Sequence, residues 1–350
     1  MWKRLVTIVA ISFFIILAGC SPKEQAVKEN EEASESNKGE VNEEAAPQEL
    51  PYQFPLTGIG SSEAVDGRAV AVMVNNHPKS RPQSGLTKAD IVFEILAEGN
   101  VTRFLAIFQS EQPDIIGSVR SAREYYIELA KGYDSLYIAH GNSAGAKDML
   151  DRGYIDHLNG LYYDGTLFER ADFRDAPHNS YISFKNILKG AEQNNYDMEK
   201  APEPLVFLTE DEVSALSGDK AEKVSISYYD KTFSSTFEYD DKLKKYKRFS
   251  NGEQTIDYDT QEPVLVDNVF IVEMKHTIID SNNGLRDIDL LSGGIAYLLQ
   301  KGQKIEVEWR NVDGRILPYA NGETVGFVPG KTWINVVPTD PGLEQLVSFE

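Results

Sequence analysis

The segment Gly141–Gly145 has the G-x-S-x-G pattern of a hydrolase nucleophile elbow, and it follows an apolar run that predicts a strand. His178, together with Asp164 or Asp172, could complete a catalytic triad with Ser143. These partners follow closely in sequence, whereas a hydrolase sheet normally adds further strands before it supplies them. Small residues here also suit a tight turn in which Ser143 is the N-cap of a short helix. We favour the helix cap and keep the hydrolase as the alternative.

Arginine side chains form a second chemical pattern in this acidic chain, because six of them cluster in and around the predicted first sheet. They are Arg81, Arg103, Arg120, Arg123, Arg170 and Arg174. Arg120 directly precedes Ser121, which we predict as a helix N-cap, and Arg123 lies in the first predicted turn. A cation is unusual there because the helix dipole already places about half a positive charge at that end. Two guanidiniums and the free backbone amides would together form an anion site.

Structural ion pairs are the alternative role for these arginines, with Asp90, Glu94 or Glu124 as the carboxylate partners. Arg103 interrupts the apolar run 101–108, so we expect its side chain to be buried. A two-residue hairpin turn at Gly99-Asn100 would place Glu94 diagonally from Arg103 on the same face, close enough to pair. A register shifted by one residue would put the two side chains on opposite faces. We expect the pair, because an unpaired buried charge costs on the order of 3–5 kcal/mol.

A third pattern is the polar loop at residues 168–179, which holds Arg170, Arg174, His178 and Asn179. His140, at the end of a predicted strand, could face the same cleft. A loop of this composition is polar enough to bind a ligand or to transfer protons. A single histidine is more often a hydrogen-bonding residue than a catalyst, so the prediction depends on the grouping.

These patterns define two sets of candidate residues. The candidates for binding an anionic ligand are Arg81, Arg103, Arg120, Ser121, Arg123, Arg170, Arg174, His178 and Asn179. The minor catalytic candidates are Ser143, His140 and His178, and the sequence does not assign a catalytic residue.

The composition excludes several classes of protein. The 350 residues include 35 basic and 55 acidic side chains, so the formal net charge of −20 leaves no basic face for a nucleic acid. A single cysteine rules out an intramolecular disulfide and a cysteine-based zinc site. Five histidines without tight spacing argue against a metalloenzyme. We therefore predict no metal, no cofactor and no nucleic-acid partner.

Short apolar runs rich in Val, Ile and Phe predict the strands that position the candidate residues. The runs are 69–74, 91–97, 101–108, 136–139 and 205–208. Because they are continuous rather than alternating, we expect strands that are buried on both faces. Helices are predicted to begin after Ser121, Ser183 and Thr209, and Gly132 and Gly218 are predicted to end the first and the third. The prediction is an α/β (α+β) fold whose N-terminal part is a mixed sheet with packed helices.

The pattern changes in the C-terminal part of the chain. Polar and apolar residues alternate, between Asn-Gly, Asp-Gly and Pro-Gly turns, at 223–229, 232–239, 243–249, 264–274, 304–309 and 333–337. Alternation of this kind predicts an antiparallel, β-rich region. We therefore predict a mixed α/β domain at 51–220 and a β-rich C-terminal domain at 221–350. The second region could also be an extension of the first sheet, and the sequence leaves this open.

The N-terminus predicts a location. Two cations precede an apolar run at residues 5–17 that is short for a membrane span, so residues 1–20 are typical of a signal peptide. Leu17-Ala18-Gly19-Cys20 resembles a bacterial lipobox, in which the cysteine receives acyl chains such as palmitate. Residues 21–50 contain nine glutamates and few apolar residues, which predicts a disordered acidic tether. The protein is thus predicted to be lipid-anchored on the extracytoplasmic face of the cell membrane.

Several short segments carry a resemblance to a known family. They are Val72–His77, Arg81–Gly85, Ala89–Glu94, Glu98-Gly99, Thr102–Phe104, Gly117–Arg123, Pro177–Asn179 and Gly330–Trp333. Together the chain resembles the YerB-like lipoproteins of Gram-positive bacteria, a family of unknown function. The resemblance implies a lipid-anchored α/β domain with a β-rich C-terminal part, and it brings no established catalytic residue. Where such sequences commonly have Gly-Gly-Ser this chain has Gly141-Asn142-Ser143, which further weakens the hydrolase interpretation.

The sequence therefore predicts a surface lipoprotein that binds an anionic cell-envelope ligand or an envelope partner protein. The alternative is a cell-envelope hydrolase or transferase that acts on wall polymers, so whether the protein is an enzyme stays open. A third possibility is an interaction scaffold that uses the β-rich C-terminal edge and needs no cleft.

Overall fold

We describe the protein from a computed structural model. The apolar runs that predict buried strands form the centre of the molecule. The structure describes residues 50–350, so the predicted signal peptide, Cys20 and residues 21–49 of the predicted tether lie outside the described residues. Val70–Asn75 and Ile91–Leu96 are typical of the centre, since every side chain in these two strands is buried. The predicted mixed α+β fold is confirmed, and most of its regular structure is β.

The strands are numbered in chain order. They are β1 (Tyr52–Gln53), β2 (Gly60–Ser61), β3 (Val70–Asn75), β4 (Ile91–Leu96), β5 (Thr102–Phe108), β6 (Ile115–Gly117), β7 (Leu136–Ala139), β8 (His157–Asn159), β9 (Phe168–Arg170), β10 (Ser180–Ser183), β11 (Asp219–Lys220), β12 (Lys223–Ile226), β13 (Ser235–Asp240), β14 (Lys245–Ser250), β15 (Glu253–Gln254), β16 (Leu265–Val266), β17 (Asn268–Met274), β18 (His276–Asp280), β19 (Leu285–Ile288), β20 (Gly294–Gln300), β21 (Gln303–Val312), β22 (Arg315–Ala320), β23 (Glu323–Thr324), β24 (Thr332–Pro338) and β25 (Val347–Phe349).

The helices are short. They are α1 (Glu124–Gly132), α2 (Ala144–Asp151), α3 (Gly160–Tyr163), α4 (Phe184–Gln193), α5 (Glu210–Ser214) and α6 (Leu343–Leu346), with single 3-10 turns at Pro78–Ser80, Leu86–Lys88 and Lys231–Phe233. Between residues 50 and 350, no helix is long and apolar enough to cross a membrane.

A central sheet of twelve strands joins the two predicted regions. Its order is β23-β22-β21-β20-β17-β24-β4-β5-β3-β7-β8, and β11 pairs with β21. Four pairs are parallel (β17 with β24, β24 with β4, β3 with β7 and β7 with β8), and the others are antiparallel. Strands of the C-terminal region thus extend the sheet begun by the N-terminal region. The predicted domain boundary at residue 220 stays a prediction.

The middle strands of the central sheet, such as β3 and β4, are covered on both faces, which is why they are almost entirely apolar. In β3, Val70, Val72 and Val74 belong to one hydrophobic cluster, whereas Ala71 and Met73 belong to the other. The first cluster includes α4 and the smaller sheet β15-β14-β13-β12-β25, and the second includes α1 and α2.

A buried ion pair connects the central sheet to the smaller one. Arg248 of β14 lies with its Nη2 3.0 Å from the carboxylate of Glu94 in β4, and both side chains are almost completely buried. The same carboxylate accepts hydrogen bonds from Ser235 Oγ (2.6 Å) and Trp333 Nε1 (3.1 Å). The rings of Phe104 and Trp333 flank the guanidinium, with centroids at 5.1 and 4.6 Å from Cζ. The charges are therefore well compensated, as a buried ion pair requires.

The predicted pair between Arg103 and Glu94 is wrong because the strand register differs by one residue. Arg103 lies opposite Ile95 and Glu94 lies opposite Phe104, so the two charged side chains are on opposite faces of the sheet. The N–H of Ala97 donates to the Val101 carbonyl, which leaves three residues in the turn rather than the predicted two.

The first helix also begins later than predicted. Ser121 is not its N-cap: α1 begins at Glu124, and Arg123 is the N-cap residue without a side-chain cap bond. The N–H of Ala122 donates to the Gly141 carbonyl, and the N–H of His140 donates to the Arg120 carbonyl. These bonds hold residues 120–122 extended beside the end of β7, so the helix cannot start there.

Two of the other predicted helix starts are confirmed. Ser183 Oγ accepts from the N–H of Asn186 and caps α4, and Thr209 forms a capping box with Glu212 at α5. α5 ends at Ser214 rather than near Gly218. The run 205–208, predicted as a strand, makes only an isolated bridge through Phe207.

Candidate functional site

Cationic side chains gather where β3 ends, and we call this group the cationic site. Its members are His77, Lys79, Arg120, Arg174 and His178. His77 is the N-cap of the 3-10 turn Pro78–Ser80, which directly follows the strand and carries Lys79. A bridge between Val74 and Val119 sets Arg120 beside the strand end. Arg174 and His178 lie in the loop between β9 and β10.

The two imidazoles stack on each other and are held at Nδ1. The centroids of His77 and His178 are 4.5 Å apart, with 22° between the ring planes. The N–H of Lys79 donates to Nδ1 of His77 (3.2 Å), and Nδ2 of Asn75 donates to Nδ1 of His178 (2.9 Å). Oδ1 of Asn75 accepts from the N–H of His77, which fixes the orientation of the amide. Because both Nδ1 atoms accept, each neutral ring carries its proton as a donor at Nε2.

Both imidazoles are neutral near pH 7. Burial, followed by the charges of Lys79 and Arg120, lowers the pKa of His77 below its usual 6.5. Burial, followed by His77 and Arg120, does the same to the pKa of His178. The groups that shift His178 electrostatically are all basic, so the stacked rings lie in a positive field.

Arg120 is the central cation of this group. Its Nη1 donates to the Pro177 carbonyl (3.1 Å), and its buried Nε has no partner within residues 50–350. No carboxylate of the described part of the chain lies within 4.0 Å of its guanidinium. Burial, together with the nearby charge of Arg103, lowers the pKa of Arg120 to about 10. A half-buried guanidinium without a counter-charge favours binding of an anion.

Arg174 ties the β9–β10 loop to the turn that follows β3. Its Nη1 donates to the Lys79 carbonyl (3.0 Å), and its Nη2 donates to the Pro82 carbonyl. Phe173 beside it stacks on Tyr258 with a centroid distance of 4.7 Å. A cavity of about 390 Å³ opens here, lined by Lys79, Asp172, Phe173, Arg174, Asp175 and His178. Asp172 and Asp175 are exposed at its rim, and neither forms an ion pair with a described residue.

Two of the predicted binding arginines are engaged elsewhere. Arg103 and Arg123 both donate to the carboxylate of Glu98, Arg103 at 2.6 Å and Arg123 at the other oxygen. Both guanidinium side chains are nearly buried, whereas Glu98 is one-quarter exposed. None of the three partners that the sequence suggested, Asp90, Glu94 and Glu124, forms an ion pair with Arg103 or Arg123. Arg120 and Arg123 therefore do not share an anion site at the start of α1.

Arg170 is paired on the surface next to the cationic site. Its guanidinium contacts Asp164 (2.9 Å) and Oδ1 of Asn179 (3.2 Å), and it donates to Nε2 of His140 (2.9 Å). Nδ1 of His140 contacts Ser180 Oγ at 2.7 Å, so both ring nitrogens are already hydrogen-bonded. Burial, followed by the charge of Arg170, lowers the pKa of His140. His140 thus has no free nitrogen with which to take a proton from a substrate.

The remaining predicted residues support the local backbone. Arg81 donates from Nε and Nη2 to the Asn76 carbonyl at 3.1 and 2.8 Å. Ser121 Oγ donates to the His140 carbonyl at 3.2 Å.

Ser143 is a helix cap, as predicted. Its Oγ accepts from the N–H of Ala146 at the start of α2 (3.2 Å) and donates to Glu124 Oε2 (2.6 Å). The partner of its hydroxyl is therefore a carboxylate, and no imidazole among the described residues hydrogen-bonds to it. This geometry does not support a nucleophile elbow.

Sequence reasoning missed His77, Lys79 and Asn75 as site residues, and it missed Glu98 as the ion-pair partner. A usable indication was present, since Asn75-Asn76-His77 is a polar group at the end of a fully buried strand. The pairing of Glu98 with Arg103 and Arg123 depends on the three-residue turn between β4 and β5. The sequence did not distinguish this turn from a two-residue one.

The arrangement can bind and orient an anion. It offers the Nε2 donors of two imidazoles and the charges of Lys79 and Arg120 on one side of the molecule. Within residues 50–350, no three His, Cys, Asp or Glu side chains are grouped so that they could hold a metal ion.

Comparisons with known proteins give a family and a close structural relative. Residues 56–197 match the family "Protein of unknown function (DUF3048) N-terminal domain", and residues 224–334 match the corresponding C-terminal domain. The chain is 46% identical over 340 residues to "Putative lipoprotein YerB" of Bacillus subtilis (strain 168), covering 96% of each chain. It is also similar to the crystal structure of the YerB protein from Bacillus subtilis, with 48% identity and a TM-score of 0.79 over 85% of this chain and 99% of that one. The resemblance indicated by the short motifs is confirmed.

Proposed function

Because this chain belongs to the DUF3048 family, whose function is unknown, we propose that it is a membrane-anchored lipoprotein that binds an anionic cell-envelope ligand in the cationic site. The ligand carries a phosphate or a carboxylate group. This group accepts hydrogen bonds from Nε2 of His77 and of His178 and lies against the guanidinium of Arg120.

The position of Arg120 carries the proposal. The whole chain has 55 acidic and 35 basic side chains, so carboxylates are in excess. Arg103, Arg123, Arg170 and Arg248 each have a carboxylate partner, whereas Arg120 has none within the described residues, and neither do Arg81 and Arg174 near it. An uncompensated, half-buried cation is costly unless a ligand supplies the counter-charge.

The anchoring part of the proposal depends on other observations. Residues 1–20 have the pattern of a signal peptide that ends in a lipobox at Cys20, and the similar protein of Bacillus subtilis is named as a lipoprotein. The lipid places the protein on the extracytoplasmic face of the membrane. The acidic residues 21–50 then hold the folded part away from an anionic bilayer surface.

Anion binding is tested with thermal melts of the full-length protein in detergent, with inorganic phosphate added at constant ionic strength. Phosphate should stabilise the protein by RT ln(1 + [L]/Kd), which is about 2.7 kcal/mol at a hundredfold excess over Kd. Arg120→Gln should weaken phosphate binding by about tenfold or more, because charged hydrogen bonds contribute about 1.5–3 kcal/mol.

Arg152→Gln is the matched control, because it removes the same charge from an exposed pair with Asp148 on α2. It should leave the response to phosphate unchanged. The proposal fails if the parent protein does not respond to phosphate, sulfate or acetate, or if both arginine variants lose the response equally.

A further inference from the structure

A second cavity lies beside the cationic site, on the other side of the turn that follows β3. It has a volume of about 270 Å³ and is lined by Arg81, Gln83, Arg248, Asn251, Gln254 and Thr255, among others. We call it the polar cavity. Its volume is slightly below the range of about 300–1,000 Å³ that is common for small-molecule sites, so it suits a small group of atoms.

The two cavities share one wall. Pro78 lines the polar cavity and Lys79, the next residue, lines the cavity of the cationic site. Consecutive Cα atoms are about 3.8 Å apart, so a single turn of backbone separates the two spaces. Arg174 of the cationic site donates to the carbonyl of Pro82, which lines the polar cavity. The linings of the two cavities are therefore neighbours along the chain and are joined by a hydrogen bond.

The polar cavity presents hydrogen-bonding groups rather than an excess of charge. The side-chain amides of Asn251 and Gln254 are exposed at its rim, and neither has a hydrogen-bond partner within residues 50–350. Arg81 uses Nε and Nη2 on Asn76, and its Nη1 has no hydrogen-bond partner in the described part of the chain. The charge of Arg81 faces that of Glu253 across the same cavity.

At the floor of the cavity is Arg248, which is 1% exposed. Its Nη atoms are bound to Glu94, Ser235 and Thr255. Its Nε has no acceptor among the residues that the structure describes. A cavity with free amides, a free guanidinium nitrogen and an unpaired buried donor suits hydroxyl groups, which both donate and accept.

We infer that the ligand of this protein is a phosphate ester of a polyol, with its phosphate in the cationic site and its hydroxyl groups in the polar cavity. The inference rests on the proposed function, because it extends the anion site by a neighbouring space. Arg81 links the two parts, because its side chain lines the polar cavity and donates to the carbonyl of Asn76, the residue before His77.

The test compares two probes that differ only in their hydroxyl groups, sn-glycerol 3-phosphate and n-propyl phosphate, by calorimetric titration of the full-length protein in detergent. Glycerol 3-phosphate should bind about tenfold more tightly, because two or three added hydrogen bonds each contribute about 0.5–1.5 kcal/mol. Gln254→Ala and Arg81→Gln should each reduce this ratio of dissociation constants towards one. Gln193→Ala, which removes an exposed amide from α4, should leave the ratio unchanged.

The outcomes separate this inference from the proposed function. If propyl phosphate binds and glycerol 3-phosphate binds no more tightly, the polar cavity is not part of the site and only the anion site stands. If neither ester nor inorganic phosphate binds, the proposed function fails. If Gln254→Ala and Arg81→Gln both keep the ratio of the two dissociation constants, the assignment of the hydroxyl groups to the polar cavity is also overturned. Micelles with phosphatidylglycerol in place of the soluble ester show whether a lipid headgroup or a free ester supplies the polyol phosphate.

Discussion

At the scale of single residues, the partly buried carboxylate of Glu98 has a structural role. It is the shared partner of Arg103 and Arg123, whose side chains are only 5% and 10% exposed. Removing one partner of a buried ion pair leaves an uncompensated charge, which is much more costly than losing a surface pair. The arginines that suggested an anion site at α1 are therefore stability residues.

Glu98→Gln should lower the free energy of unfolding by about 3–5 kcal/mol, because it leaves two buried guanidiniums without a carboxylate. Chemical denaturation without any added anion measures this loss. Glu111→Gln is the matched control, since Glu111 also contacts two cations, Lys88 (2.5 Å) and Lys331 (2.8 Å), but is 42% exposed. The control should cost about 1 kcal/mol or less. Equal losses in the two variants would contradict the structural role of Glu98.

At the scale of the elements, the start of α2 explains the G-x-S-x-G pattern without catalysis. Ser143 caps the first turn of α2 and also donates a hydrogen bond to Glu124 at the start of α1, so it connects the N-terminal ends of the two helices. Gly145 lies in the same first turn, and a Cβ there would lie 1.9 Å from Glu124 Oε1, so a larger residue would displace the Glu124 side chain that bonds Ser143. Ser143 and Gly145 thus suit the close approach of two helices, and Gly141 suits a turn in which its φ is +98°.

Ser143→Ala should therefore destabilise the protein by about 1 kcal/mol, the usual cost of losing an N-cap. Ser143→Asn, which keeps a cap acceptor, should recover part of that loss. Both variants should retain phosphate binding, since the serine lies outside the cationic site. Covalent labelling of Ser143 by a fluorophosphonate probe would contradict the cap and support a nucleophile.

The elements were predicted well where a local pattern decides them and poorly where long-range pairing does. The apolar runs of β3, β4, β5 and β7 and the caps of α2 and α4 were recognised, because burial and capping leave local patterns. β20 and β22 were missed, although each pairs with β21 along most of its length. The run 333–337, expected in an antiparallel region, is fully buried between two parallel neighbours. Its neighbours come from distant parts of the chain, so no local pattern could identify them.

The candidate site was predicted only in part for a similar reason. Arg120, Arg174 and His178 were named because their charge and grouping are visible in the sequence. Which carboxylate pairs with Arg103 depends on the exact register of β4 and β5, and a difference of one residue moves Glu94 to the opposite face of the sheet. His77 and Lys79 enter the site through the turn that follows β3, whose direction the sequence did not indicate.

At the scale of the whole molecule, four histidines make the stability depend on pH. The pKa values of His77, His140 and His178 are lowered mainly by burial, and burial lowers the pKa of His276 to about 4. The unfolded chain therefore binds more protons than the folded one below pH 6.5, the ordinary value for histidine. The stabilisation is complete above pH 6.5 and is lost as the pH falls towards 4.

Denaturation at pH 7.5, 6.5 and 5.5 should show a free energy of unfolding that changes little between pH 7.5 and 6.5 and falls more steeply between pH 6.5 and 5.5, before ordinary carboxylates titrate. His276→Asn should flatten this dependence most, because it can still donate to the Met274 carbonyl but does not titrate. Lys275→Gln, at the exposed neighbouring position, should leave the slope as it is in the parent. A stability that does not change between pH 7.5 and 5.5 would contradict the prediction.

The position of β24 has a consequence for how the protein is made. This strand begins at Thr332, near the end of a 350-residue chain, yet it lies between β4 and β17 in the middle of the central sheet. Because β4 and β17 precede β24 in the chain, each is synthesised with one edge unpaired until β24 is available. The central sheet therefore cannot be assembled progressively from the N-terminus. The two parts of the sheet can join only once β24 has been made, and until then the edges of β4 and β17 are open to pairing with other chains.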